Sequence, residues 1–135
     1  MGPTGFLLFP IITLQAFACE LYLKALFIAQ LECMPKVGHD LIKLFNKLPE
    51  QTRALIKEVD ETVYLTFPEE QLLANARGGR QTFNERLDAC RHTFVRARYV
   101  YEQDEKRPVS WSGSTIVVAL NHVCLTMYPH WNPDT

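Results

Sequence analysis

The sequence predicts an all-α fold, an up-and-down bundle of about four main helices. Three observations predict it. Apolar residues recur at helical spacing in one segment after another. Residues that start and stop helices punctuate those segments. The one run with strand propensity, Thr115-Ile116-Val117-Val118, has no second strand to pair with. The 135 residues correspond to one domain, 1–135, large enough to fold without a disulfide or metal.

The first helix is expected from about Ile11 to Leu31, with Pro10 near its start and Pro35 beyond its end. Phe17, Leu21, Lys24, Ala25 and Ile28 fall at helical spacing, and Leu14, Ala18, Leu26 and Phe27 widen the apolar face. A helix this apolar is expected to be central, packed on more than one side. After a loop from Met34 to Gly38, residues 39–48 carry Leu41, Leu44, Phe45 and Leu48 at i, i+3, i+4, i+7, a short amphipathic helix. Pro49 opens another helix, with Glu50 in its first turn and Thr52, Leu55, Ile56, Val59 and Val63 on its inner face.

Residues 67–81 are the least regular part of the chain. A short helix from Pro68 to Ala76 is expected to end at Gly78-Gly79. Thr82-Phe83-Asn84-Glu85 has the form of a capping box for a helix to about Glu102. Its seam would be Phe83, Leu87, Cys90, Phe94, Ala97 and Tyr101. A last helix to about Tyr128, with Ser112 or Ser114 as cap, carries Ile116, Leu120, Val123 and Met127 on one stripe.

Fourteen basic and fifteen acidic residues give a formal charge of -1, which argues against non-specific nucleic-acid binding through net charge. The cysteines, Cys19, Cys33, Cys90 and Cys124, are scattered and form no Cys-x-x-Cys pair, as expected of reduced thiols in a cytoplasmic protein. No local cluster with His39, His92, His122 or His130 has zinc-ligand spacing, so no metal or cofactor is expected. No Lys or Arg precedes the apolar run at residues 5–19, as a signal peptide would require. Glu20 and Lys24 interrupt a span of about 20 residues, so no membrane is expected.

Three ordered segments resemble the HEPN domain family (higher-eukaryote and prokaryote nucleotide-binding domains). Residues 16–26, with Glu20-Leu21-Tyr22-Leu23-Lys24-Ala25-Leu26, are similar to the Glu-Leu-x-Leu-Lys-Ala-Leu signature of a long HEPN helix. Gly38-His39-Asp40-Leu41 is similar to the His-Asp-Leu motif that follows it. Arg98-Tyr99-Val100-Tyr101-Glu102 is similar to the end of a later helix in one subgroup. The chain begins close to the first signature, where longer members carry a further helix. The resemblance implies a bundle that dimerises, of the kind found in toxin–antitoxin, phage-defence and RNA-processing systems. Many members are metal-independent endoribonucleases marked by Arg-x(4–6)-His; others lack the motif and serve as binding modules or antitoxin-like partners.

Arg86 and His92 have that spacing, and the chemistry is coherent: histidine moves a proton at a ribose 2′-hydroxyl while arginine stabilises the phosphate. Against it, Leu87 stands where the family motif has a polar residue. On one helix the pair would also lie about 120° and about 9 Å apart, so they would need a second chain, or a bent helix, to act on one phosphate. Arg77, Arg80, Arg86, Arg91, Arg96 and Arg98 are the chain's one basic concentration and the expected place for RNA phosphate contacts. Glu20 and Lys24, with His39, Tyr99, Arg98 and Glu102, are expected to form a polar network across the bundle. His92, Val95 and Tyr99 share an arc of about 60°, a surface for a homodimer or a small partner such as a nucleotidyltransferase-like antitoxin. The reading favoured is a non-catalytic, RNA- or nucleotide-associated or protein-assembly module; the alternative is an endoribonuclease using Arg86 and His92 in a dimer.

Overall fold

A computed structural model describes residues 3–79, 81–91 and 113–134. These are mostly helical, with no strand among the described residues. The helices are α1 (Pro3–Leu31), α2 (Leu41–Asn46), α3 (Glu50–Leu65), α4 (Pro68–Arg77), α5 (Phe83–Cys90) and α6 (Ser114–Met127), with a 3-10 turn at Pro129–Trp131. α6 packs on both α1 and α3; α2 bridges α1 and α5; α3 also touches α4 and α5.

α1 begins eight residues before the expected start. Pro3 is its first residue, where a missing N–H costs no hydrogen bond, and the helix then runs through Pro10. Its other end matches expectation: Glu32 turns left-handed at φ 55° and donates its N–H to the Ile28 carbonyl at 2.9 Å. Asp40 caps α2, its Oδ1 accepting from the Lys43 N–H at 3.1 Å. Gly78, at φ 82°, ends α4 in the left-handed conformation that glycine adopts without a Cβ clash. Thr82 caps α5 by accepting from the Glu85 N–H at 3.1 Å. α6 departs from expectation: Gly113 is its N-cap, with no side-chain cap bond, and the Ser114 hydroxyl donates instead to Gln15 Oε1 on α1 at 3.2 Å. Ser112 and the continuation of the Phe83 helix toward Glu102 lie outside the described residues.

One core joins the helices. Cys19, Leu23, Leu26 and Phe27 of α1 meet Leu41, Leu44 and Phe45 of α2, Ile56 of α3, Phe83, Leu87 and Cys90 of α5, and Ile116, Leu120, Val123 and Cys124 of α6. Along α3 the buried row is Thr52, Ile56, Asp60 and Tyr64, whereas Leu55, Val59 and Val63 are only half buried. The expected inner face is thus rotated toward a charged residue. α1 differs more. Its packing on α2 and α6 uses one face, while Ile11, Leu14, Phe17, Leu21, Ile28 and Leu31 are exposed. By length and composition, Ile11–Leu31 is apolar enough to cross a membrane; in the fold, its inner face belongs to the core.

None of the four cysteines is in a disulfide; Cys19, Cys90 and Cys124 are buried and Cys33 is exposed. Burial pushes the Cys124 thiol up to about 11 and raises Cys19 further above its ordinary value. In the native protein at pH 8, Cys33 is therefore expected to react quickly with a thiol reagent, and the other three only after unfolding. The raised thiols stabilise the fold fully below the unfolded value near 9, where both states hold their protons. As pH climbs from there toward 11, unfolded thiols ionise while native ones do not, so stability falls. Urea midpoints at pH 8 and pH 10 should show this drop in wild type, and a smaller one in a Cys19→Ala/Cys124→Ala variant.

Candidate functional site

Two polar groups are built into the described helices. The first is buried between α3, α5 and α6. Arg86 on α5 is 1% exposed and Asp60 on α3 is 0% exposed. The guanidinium grips the carboxylate with two nitrogens: Nη1 donates to Oδ1 at 3.1 Å and Nη2 donates to Oδ2. The Thr115 hydroxyl, in the first turn of α6, accepts from Arg86 Nη1 at 2.7 Å and donates to Asp60 Oδ1 at 3.2 Å. The guanidinium carbon lies over the Tyr64 ring, 4.6 Å from its centroid. Each charge is thus met by the opposite charge and by the Thr115 hydroxyl, and the guanidinium also by the Tyr64 face, while Arg86 Nε is buried without a hydrogen-bond partner.

The second group lies where α1, the start of α2 and the end of α5 meet. Glu20, buried on α1, accepts from both sides: Lys24 Nζ at 3.1 Å on Oε2, and His39 Nδ1 at 2.7 Å on Oε1. The i,i+4 spacing on α1 aims Lys24 at Glu20, and the turn at Gly38 brings His39 over the same carboxylate. Asp40, the next residue, accepts from Arg91 Nη2 at 2.7 Å through Oδ2 while its other oxygen caps α2. Arg91 also reaches Asp88 at 3.5 Å, and its carbonyl accepts from the Leu41 N–H at 3.3 Å. The hydrogen bond to Asp40 raises the Arg91 pKa further above its ordinary value.

The structure therefore brings Glu20, Lys24 and His39 together. Tyr99, Arg98 and Glu102, expected in the same network, lie outside the described residues, as do His92, Val95, Arg80 and Arg96. The backbone of Arg77 ends α4. Arg86 requires a correction. Expected as a phosphate ligand, it is enclosed in the core and engaged by Asp60 and Thr115, because the α3 row that packs on α5 carries a carboxylate at its centre. Arg91 is likewise engaged by Asp40 and Asp88. Asp60, Thr115 and Tyr64 were missed as partners. The signal for Asp60 was its place four residues after Ile56 and four before Tyr64, a charge in an otherwise uncharged buried row. Among the described residues, no group of three or more His, Cys, Asp or Glu side chains is placed to hold a metal ion. No protein-family model, curated protein or solved structure matches the chain.

Proposed function

We propose that this chain is a HEPN-like helical module of a toxin–antitoxin or defence type system, cytoplasmic, whose work is binding and assembly rather than RNA cleavage. The observation that carries the reading is the engagement of Arg86. An endoribonuclease built on Arg86 and His92 needs the guanidinium at a substrate phosphate. Here that guanidinium is enclosed with Asp60, and drawing it out would strand a buried carboxylate. RNA or nucleotide association stays part of the proposal, but assembly with protein is the better supported arm. Both arginines of the 77–98 concentration whose side chains are described, Arg86 and Arg91, are bound to carboxylates. The partner is a second copy or a small protein such as a nucleotidyltransferase-like antitoxin.

The test is incubation of purified protein with mixed RNA in EDTA. RNA is expected to stay intact, with His92→Ala indistinguishable from wild type. Cleavage abolished in both His92→Ala and a still-folded Arg86→Lys would establish the nuclease alternative instead. Any RNA binding should weaken steeply as salt rises, because neutralised phosphates release counterions.

A further inference from the structure

The C-terminal ends of α1 and α6 meet the first turns of α3 at an open groove of about 460 Å³, lined by Gln30, Pro49, Gln51, Thr52, Leu55 and Met127. None of these side chains is charged. Thr52, buried at the start of α3, donates its hydroxyl to Gln30 Oε1 at 2.7 Å. Gln30 Nε2 in turn donates to Met127 Sδ at 3.8 Å. The sulfur fixes which way round the amide sits, because the amide oxygen against it would set two electron-rich atoms together, whereas a hydroxyl satisfies either end. The contact is a poor one for the amide: a thioether is a weak acceptor, standing where an oxygen would serve better.

We propose that Met127 is a modification site, which takes one oxygen from a peroxide and holds it as a methionine sulfoxide hydrogen-bonded to Gln30. This goes beyond the binding-module reading and does not depend on it. The step is a two-electron oxygen transfer. A sulfur lone pair attacks one oxygen of hydrogen peroxide, an S–O bond forms and the O–O bond breaks. The proton on the transferred oxygen passes to the departing hydroxide, which leaves as water. The thioether is oxidised to the sulfoxide and the peroxide is reduced.

Three arguments single out this methionine. The first is access. Met127 is half-buried and lines the groove, whose volume is many times the roughly 30 Å³ share of one water, so an oxidant of peroxide size reaches the sulfur without the helices parting. The second is reception. Sulfoxides ordinarily disrupt a core because they place a polar group where nothing answers it. Here Met127 packs on the core with a donor already aimed at its sulfur and held there by Thr52. The third is relay. An oxygen accepting from Nε2 polarises the Gln30 amide and strengthens the bond that Thr52 makes to its other end. Oxidation would thus tie the end of α6 to the end of α1, and both to the start of α3. Met34, by contrast, is 67% exposed, and an oxygen added there meets water.

The experiment uses the full chain in a Cys33→Ser/Met34→Leu background, which removes the exposed thiol and the exposed methionine. After the folded protein is treated with hydrogen peroxide, peptide mass spectrometry is expected to find one added oxygen on Met127. The side-chain amide protons of Gln30 should shift downfield in nitrogen-15 spectra as the stronger acceptor forms. Thermal midpoints are then compared before and after oxidation. Gln30→Glu keeps an acceptor for Thr52 and removes the donor, so its midpoint should respond to oxidation less favourably than the parent's, by about 3–6 °C, the worth of one hydrogen bond. Comparing each variant with its own reduced form cancels the cost of the substitution, and Met127→Leu should show neither response. The proposal is overturned if Met127 stays unmodified at peroxide doses that convert Met34 in the Cys33→Ser chain. Oxidation that leaves the Gln30 amide protons unmoved overturns it too, as do equal midpoint responses in the parent and Gln30→Glu. The amide spectrum needs no substitution in the groove, so it decides the matter even where Gln30→Glu fails to fold.

Discussion

Asp60→Ala is expected to cost the fold about 3–5 kcal/mol, because it leaves the Arg86 guanidinium buried without its counter-charge. Domains of this size are stable by about 5–15 kcal/mol in all, so the loss approaches the whole. At several degrees per kcal/mol, the thermal midpoint should fall by about 10–20 °C. Arg86→Ala should be comparably severe, since it strands a carboxylate that is wholly buried. The pair need not be the best solution energetically. Asp60→Leu combined with Arg86→Met, which removes both charges and keeps apolar volume, should recover most of the loss. Thermal melts of the single and double variants followed by circular dichroism make the comparison. A single-variant loss under about 1 kcal/mol would show that water reaches the pair and that the guanidinium is not held in the core.

Two leucines on α1, two positions apart, should respond very differently to the same substitution. Leu23 is 1% exposed and belongs to the shared core, so Leu23→Ala should cost about 2–5 kcal/mol through lost burial and the cavity left behind. Leu21 is half exposed on the opposite side, and Leu21→Ala should cost the monomer under about 0.5 kcal/mol, since alanine is a good helix former there. Urea unfolding of the two variants measures this difference. Equal losses for the two leucines in dilute solution would mean that the two faces of α1 are not as unlike as their exposures state.

What the chain's text discloses is mainly what local chemistry decides. Asp40 before Leu41, Thr82 three residues before Glu85, and Gly78 at the end of α4 are readable because a cap acts within a few residues. The Glu20–Lys24 clasp is readable for the same reason, and the His39 motif marked its third member. Asp60 and Arg86 are 26 residues apart, on different helices, and nothing local joins them. An apolar-face count on α3 passes over Asp60 because it treats charge as outward; the rotated face follows from the pairing, which only tertiary structure supplies. Arg86 was drawn toward catalysis by its spacing to His92, a linear cue that carries no information on depth. The apolar character of α1 was legible, but its division into a buried side and a more exposed side was not. Both sides read as core text, and among the described residues the positions of α2 and α6 distinguish them.

The Asp60–Arg86–Thr115 triangle also acts as an alignment key among three helices. Apolar helix faces tolerate sliding: a one-turn slip of about 5.4 Å exchanges one leucine contact for another at modest cost. A charge does not tolerate it. Moving α6 by one turn would carry Thr115 away from both charges, and moving α5 by one turn would part Arg86 from Asp60 inside the core. The three residues come from separate stretches of chain, so no two helices satisfy the key alone, and the penalty falls on each misaligned stacking that the leucines by themselves would accept.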